Sequence, residues 1–118
     1  MLNNYTDQIY CLNLKKRIDR KQRFLKRLKN EAQTDTSKLT FVEAVDGNQL
    51  DYVPYPFDKG WPEETAGAYG CLQSHLKAIK DAKEKKFKTI LIFEDDVTFR
   101  ANFIPHLQLL FDNIPTEW

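Results

Sequence analysis

Three short apolar runs that alternate with helical patterns constrain the fold of this chain more than any other feature of its sequence. Residues 9–14 form an apolar run bracketed by polar residues, residues 39–45 are rich in β-branched and aromatic residues, and residues 88–93 form a third run. Runs of this length and composition favour strands. Strands that alternate with helices usually pair in parallel, because a parallel connection needs a long crossover. We therefore predict an α/β fold with a parallel sheet flanked by helices.

Between the apolar runs, apolar residues recur at helical spacing. Residues 19–30 place Phe24, Leu25 and Leu28 on one stripe, and Asp19 is the expected N-cap. This segment is predicted to be an amphipathic helix that follows the first strand.

Two further helices are predicted. The second is expected to begin after Gly70 and to carry an apolar stripe of Leu72, Leu76 and Ile79. The third covers residues 103–114 and has a proline near its start, where proline is tolerated.

Irregular structure is predicted between the second strand and the second helix. Asp46-Gly47 is a turn pair, and residues 48–65 combine prolines with aromatic side chains. We expect a turn followed by a long loop, which is often a functional element.

Composition limits the class of protein. With 118 residues, of which 42% are hydrophobic and 30% charged, residues 1–118 are predicted to form a single domain. The 18 basic residues nearly balance the 17 acidic ones, so no global field favours nucleic acid or an anionic membrane. No run approaches the roughly 20 apolar residues of a membrane helix, and the polar start lacks the apolar centre of a signal peptide. The expected location is cytoplasmic.

The sequence shows none of the common motifs of zinc, disulfide, serine-nucleophile or phosphate-loop proteins. Cys11 and Cys71 lack the spacing of a structural zinc site or a disulfide scaffold, and both are predicted to be buried thiols. The sequence also lacks a zincin histidine pair, a Gly-x-Ser-x-Gly elbow and a phosphate-binding loop with Gly-Lys. Several common enzyme classes are therefore unsupported.

The acidic triplet Glu94, Asp95 and Asp96 directly follows the third apolar run. If the segment stays extended, Glu94 and Asp96 share one face and Asp95 lies on the other. Clustered carboxylates need a cation or hydrogen-bond donors to offset their repulsion and desolvation, and oxygen ligands suit Mg²⁺ or Mn²⁺. In the alternative interpretation the acids only end a strand, with one capping the next segment and the others solvated.

A basic loop follows the first strand. Arg17 and Arg20 could form bidentate contacts with a diphosphate or clamp a base, and Asn13 at the strand end could assist them. Ordinary surface charge is the alternative, and it is the preferred interpretation of Lys15, Lys16 and Lys21, also in this segment.

A glycine-containing segment precedes a polar trio in the predicted second helix. Gly67 and Gly70 are followed by Gln73, Ser74 and His75, so the positive end of a helix dipole could favour an anion here. A lone helical histidine is more often a hydrogen-bonded packing residue than a base or a ligand.

Four motifs in this order resemble glycosyltransferase family 25, which contains lipopolysaccharide and procollagen sugar transferases. They are YCLNL at 10–14 with Arg17, Asp19 and Arg20, then VEAVDG at 42–47, GCLQSH at 70–75 and IFEDDV at 92–97. The resemblance implies a GT-A-like, Rossmann-like sheet that binds a nucleotide sugar. It also implies transfer of galactose or glucose, with inversion, from UDP-galactose or UDP-glucose to a glycan or glycoprotein hydroxyl, usually with manganese.

The resemblance also assigns residues. Glu94 and Asp96 would be the ligands of Mn²⁺ or Mg²⁺, with Asp96 leading, and Asp95 would touch the metal shell or the donor ribose. The nucleotide would lie near Asn13, Arg17 and Arg20, and the donor pocket would be shaped by Asp46, Gly47, Ser74 and His75. No catalytic base is assigned.

The family's domain usually continues past the acidic strand and there supplies the acceptor contacts and the general base. Residues 114–118 resemble the approach to a further strand. The expectation is therefore a truncated domain whose C-terminal half is absent or is a partner chain, or a relic without turnover.

Two other classes remain open. One is a non-catalytic nucleotide-sugar-binding or partner-docking fragment. The other is an α/β signalling domain whose acidic pocket holds magnesium, although the expected downstream lysine is missing from the sequence.

Overall fold

The computed structural model describes residues 1–50 and 62–115, and the side chains of residues 62–65 are not described. The elements are β1 (Gln8–Asn13), α1 (Ile18–Asn30), β2 (Leu39–Glu43), α2 (Pro62–Glu84), β3 (Ile90–Glu94) and α3 (Phe103–Asn113). Single 3-10 turns occur at Leu2–Asn4 and Gly47–Gln49. The greater part of the predicted loop, residues 51–61, and the last three residues of the predicted approach to a further strand lie outside the described residues.

The three strands form one parallel sheet in the order β2-β1-β3. The central strand pairs on both sides, with Leu12 opposite Val42 of β2 and Glu94 of β3. All three carboxyl ends therefore meet at one edge of the sheet. The predicted α/β fold with a parallel sheet and flanking helices is confirmed.

Alternation along β1 divides the core between the two faces of the sheet. Ile9 and Cys11 pack with Phe24 and Leu28 of α1 on one face. Burying an aromatic or leucine side chain in this way contributes about 1.5–3 kcal/mol. The expected amphipathic α1 and its apolar stripe thus account for one face of the sheet.

The opposite face of the sheet is covered by α2. Tyr10 and Leu12 pack against Ala78 and Ala82, and the Tyr10 hydroxyl donates to Asp81 Oδ2 at 2.6 Å. Small side chains let the helix approach the sheet closely. The predicted apolar stripe of α2 is therefore wrong, since the exposed fractions of Leu72 and Ile79 are both 48%.

The helix starts differ from the predictions. The N-cap of α1 is Arg17, and Asp19 lies in the first turn, where its carboxylate accepts two hydrogen bonds of 2.9 Å from the Arg17 guanidinium. A carboxylate in the first turn still complements the helix dipole. The predicted N-cap role of Asp19 is wrong because α1 already begins at Ile18, one residue before Asp19.

The second helix begins at Pro62, inside the segment predicted as a loop, so Gly70 lies within α2 and does not precede it. A Cβ on Gly70 would lie 2.6 Å from the Val45 carbonyl oxygen and 2.7 Å from the Gly47 nitrogen. Glycine is needed there for a close approach between α2 and the segment after β2. None of the described helices is long and apolar enough to cross a membrane.

Candidate functional site

A cavity of about 260 Å³ opens at the carboxyl edge of the sheet. In open parallel sheets ligands bind beyond the carboxyl ends of the strands, because the loops there diverge. Six of the residues predicted to form the site line this cavity: Arg20, Asp46, Gly47, Ser74, Glu94 and Asp95. The structure thus brings together side chains from β3, α1, α2 and the segment after β2.

Asp95 is the buried member of the acidic triplet, with 8% of its side chain exposed. Its Oδ2 accepts a 2.8 Å hydrogen bond from Asn13 Nδ2, and its Oδ1 accepts one of 3.2 Å from Arg20 Nη1. The Asn13 amide also donates to the Arg17 carbonyl oxygen at 3.1 Å. Asn13 therefore uses both amide hydrogens to hold the end of β3 against the loop after β1. Arg20 supplies the positive charge that a buried carboxylate requires.

Glu94 and Asp96 differ from the sequence prediction. The strand ends at Glu94 and the next two residues form a turn, so the predicted placement of Glu94 and Asp96 on one strand face is wrong. The Asp96 side chain is 62% exposed, and its Oδ2 lies 3.8 Å from Arg20 Nη1. Arg27 Nη1 donates to the Asp96 and Val97 carbonyl oxygens at 3.3 and 2.9 Å, which fixes the turn from the α1 side.

The two candidate arginines have different surroundings. The Arg17 guanidinium is bound by Asp19, and these hydrogen bonds hold the pKa of the Asp19 carboxyl well below its ordinary value. Arg17 does not line the cavity. Arg20 does, and 36% of its side chain is exposed while it pairs with Asp95. Of the two, Arg20 is the one placed to meet a ligand in this cavity.

The segment after β2 is held by Asp46. Its Oδ1 accepts from the Asn48 backbone N–H at 3.1 Å, and its Oδ2 accepts from Lys16 Nζ at 2.9 Å. These two hydrogen bonds lower the pKa of the Asp46 carboxyl, and the bond from Lys16 makes the larger contribution. Sequence reasoning assigned Lys16 to plain surface charge, and nothing in the local pattern shows that it would bridge the segments after β1 and β2.

Gly47 and Ser74 fix the wall of the cavity. A Cβ on Gly47 would overlap the Ala66 carbonyl oxygen at 1.6 Å, so this segment packs directly on the α2 backbone. The Ser74 hydroxyl donates to the Gly70 carbonyl oxygen at 2.7 Å and accepts from the Val45 N–H at 2.8 Å. The hydroxyl hydrogen of Ser74 is therefore already engaged in a hydrogen bond to the α2 backbone. The predicted helix start at Gly67 and Gly70 is wrong, because α2 begins at Pro62.

His75 lies outside the set of residues that line the cavity. Its Nδ1 is 2.9 Å from the Cys71 carbonyl oxygen and 3.6 Å from Cys71 Sγ. The predicted burial of Cys71 is wrong, since this thiol is exposed and donates to Glu94 Oε1 at 3.6 Å. The prediction holds for Cys11, which is buried in the sheet. A sequence signal for the Cys71 and His75 pair existed in their four-residue spacing on one helix face.

Glu94 and Asp96 offer the donor type that suits a hard divalent cation, but Asp96 does not line the cavity, and the potential metal ligands that converge among the described residues are Cys71, His75 and Glu94. Glu94 and Asp96 both have exposed carboxylates on either side of the engaged Asp95. Carboxylate oxygens are the ligands that Mg²⁺ and Mn²⁺ prefer.

The family is shown by comparison with known proteins. The sequence profile of glycosyltransferase family 25, described as an LPS biosynthesis protein, matches residues 6–118. This chain therefore belongs to glycosyltransferase family 25, as its motifs predicted.

Its similarity to individual proteins is moderate and covers little of their length. The chain is 33% identical to procollagen galactosyltransferase 2 of Homo sapiens, over 92% of this chain and 18% of that protein. It is 34% identical to procollagen galactosyltransferase 1-A of Xenopus laevis, over 93% of this chain and 19% of that protein. It is also 30% identical to the inactive glycosyltransferase 25 family member 3 of Homo sapiens, over 94% of this chain and 20% of that protein. The chain spans about a fifth of the length of these relatives, and no solved structure gives a significant match.

Proposed function

We propose that this chain is the donor-binding part of a metal-dependent glycosyltransferase with a GT-A-like fold. It binds a nucleoside-diphosphate sugar, UDP-galactose or UDP-glucose, at the carboxyl edge of the sheet, for inverting transfer to a glycan or protein hydroxyl. Family membership and the names of the galactosyltransferase relatives support the class of reaction. The single observation that carries the site is Asp95, buried between Asn13 and Arg20 beside the cavity.

Arg20 is the proposed diphosphate contact. A guanidinium has five N–H donors in a rigid fork, and the pair with Asp95 uses only a single N–H of Nη1. Within the described residues, the remaining donors of Arg20 make no hydrogen bond, which supports a contact with phosphate oxygens in the cavity. Negative charge develops on the leaving diphosphate during transfer, and a donor already held in place stabilises that charge without reorganising.

Asp95 is the proposed positioning residue of the acidic turn. Because Asn13 and Arg20 occupy its two oxygens, it fixes the turn that presents Glu94 and Asp96. Glu94 and Asp96 would hold Mn²⁺ or Mg²⁺, and when bound this cation supplies neutralising charge to the diphosphate. Gly47 and Ser74 shape the wall near the donor through their backbone and hydroxyl contacts.

Acceptor binding is proposed to use residues outside this chain. The chain covers about a fifth of the length of its galactosyltransferase relatives, and no residue of the described part is assigned as the general base. The base that deprotonates the acceptor hydroxyl would then come from a further part of the protein or from a partner chain.

Nucleotide-sugar binding without transfer is the second candidate. It is favoured by one observation, the 30% identity to a relative named as inactive. Sugar transfer or sugar-nucleotide hydrolysis by this chain would exclude it.

Calorimetric titration of UDP in the presence of Mn²⁺ tests the proposed site. Asp95→Asn removes the charge that orients Arg20, and charge-assisted hydrogen bonds are worth about 1.5–3 kcal/mol, so UDP affinity is expected to fall by roughly tenfold or more. The control is Asp112→Asn, which removes an exposed acid on α3. Circular dichroism shows whether both variants remain folded. Equal UDP affinity in folded Asp95→Asn and Asp112→Asn proteins would contradict the proposal.

A further inference from the structure

Cys71, His75 and Glu94 meet where α2 passes the end of β3. Cys71 and His75 are one helical turn apart on the same face of α2, and Glu94 is the last residue of β3. The distance from Cys71 Sγ is 3.6 Å to His75 Nδ1 and also 3.6 Å to Glu94 Oε1. One ligand atom from each residue lies within 4.8 Å of the other two.

The two separations from the Cys71 sulfur match those of a tetrahedral coordination shell. Zinc lies about 2.3 Å from a cysteine sulfur and about 2.0–2.2 Å from a histidine nitrogen or carboxylate oxygen. With tetrahedral angles, the sulfur is then about 3.6 Å from either of the other ligand atoms. Both distances from the sulfur agree with this value, and the third separation, between the ligand atoms of His75 and Glu94, is at most 4.8 Å.

We propose that Cys71, His75 and Glu94 form a binding site for a thiophilic transition-metal ion of the Zn²⁺ class. Sulfur and imidazole nitrogen select a softer ion than the oxygen ligands of a magnesium or manganese site. Three protein ligands leave a fourth position open. Because Cys71 and Glu94 both line the cavity, water or a ligand oxygen can fill that position.

Binding of the metal ion at this site replaces existing contacts of its three side chains with bonds to the metal. The Cys71 thiol, which now donates to Glu94, loses its proton to solvent as the sulfur–metal bond forms. The contact between His75 Nδ1 and the Cys71 carbonyl oxygen is replaced by a nitrogen–metal bond. Glu94 is shared with the proposed manganese site, so the two ions compete for its carboxylate.

Titration of the chain with Co²⁺ in the absence of any nucleotide tests this site, and its result does not depend on the proposed function. Cobalt bound by a thiolate gives an intense near-ultraviolet absorption band, and its displacement by Zn²⁺ reports the zinc affinity. We expect the band in the unmodified chain and its loss in Cys71→Ser. We also expect His75→Gln and Glu94→Gln each to weaken zinc binding by at least about tenfold, because each variant removes one of the three ligands and loss of a mere outer-shell partner already costs about 10–100-fold in affinity.

His106→Gln is the matched control. His106 on α3 makes the same kind of contact as His75, with Nδ1 2.9 Å from the carbonyl oxygen of Asn102, four residues earlier. This substitution should leave cobalt and zinc binding unchanged. A thiolate band that never forms, one that persists in Cys71→Ser through Cys11, or equal zinc affinity in folded His75→Gln and His106→Gln proteins would each overturn the proposal.

Discussion

At the scale of single residues, the surroundings of a carboxylate decide its role, and sequence neighbours can differ sharply. The side chain of Asp95 is 8% exposed and that of Asp96 is 62% exposed, although the two are adjacent. Strand alternation could not predict this difference, because it applies only while the backbone stays extended and β3 ends at Glu94. The burial of Asp95 depends on Asn13 and Arg20, which lie more than seventy residues away in sequence.

Asp7 provides a test of pH dependence at this scale. Its Oδ2 accepts the backbone N–H groups of Lys88 and Thr89 at 2.7 and 3.1 Å, and these hydrogen bonds lower the pKa of Asp7 below its usual 3.8. A lowered carboxyl pKa stabilises the fold above the unfolded-state value, and this contribution is lost as the pH falls through the folded-state value. The Asp7→Asn variant should therefore be less stable than the unmodified chain near neutral pH. The difference in their free energies of unfolding should become smaller as the pH falls.

Urea unfolding measured between about pH 7 and about pH 2 checks this expectation. Asp112→Asn serves as the control, because Asp112 is an exposed acid on α3 and should show a much smaller gap. A gap for Asp7→Asn that stays constant across the acid range would show that its carboxylate charge does not matter.

At the scale of elements, hydrophobic periodicity predicted the order and type of the strands and helices, but not where α2 begins. Gly70 suggested a helix start because glycine is a poor residue for a helix interior. Its actual role depends on Val45 and Gly47, whose backbone lies against it. Contacts of this kind arise from tertiary packing, so no local pattern can reveal them. The same limit applies to the small-residue face of α2 at Ala78 and Ala82.

Two glycines of α2 allow this packing to be measured against an internal control. The added Cβ of Gly67→Ala meets no atom of the described residues within 4 Å, so this substitution should stabilise the chain by about 0.5–1 kcal/mol through helix propensity. Gly70→Ala gains the same propensity but places its Cβ against the backbone of Val45 and Gly47, so it should be destabilised by about 1–3 kcal/mol overall. Chemical denaturation of the two variants gives the difference. Equal stability would mean that α2 does not approach the segment after β2 as closely as described.

At the scale of the whole molecule, β1 carries both cores, since alternate side chains enter opposite faces of the sheet. This arrangement follows from a parallel sheet with helices on both sides, which the alternation of apolar runs and helical segments predicted. The meeting of the candidate site residues at one edge also follows, because parallel strands end together. The hydrogen-bond partners of the side chains within the site do not follow from the order of strands and helices, because they depend on the lengths of the turns after β2 and β3. The two thiols illustrate the difference, with Cys11 buried in β1 and Cys71 exposed.

The reactivity of these thiols reports the stability of the whole fold. Thiolate is the reactive form, and burial, with a smaller contribution from Asp95, raises the pKa of Cys11 to about 12. Partial burial and the Glu94 carboxylate also raise the pKa of the Cys71 thiol, but this thiol is exposed. With an aromatic disulfide reagent, we therefore expect Cys71 to react in the native chain, and faster than Cys11, which reacts only when the sheet opens. The slow rate, that of Cys11, should follow the global unfolding equilibrium and rise about tenfold for each 1.4 kcal/mol of stability lost.

Two variants assign the two kinetic phases. Cys71→Ser should remove only the fast phase. Phe24→Leu, which disturbs the core beside Cys11, should accelerate only the slow phase. Equal rates for both thiols in the unmodified native chain would contradict a central strand that is sealed on both faces.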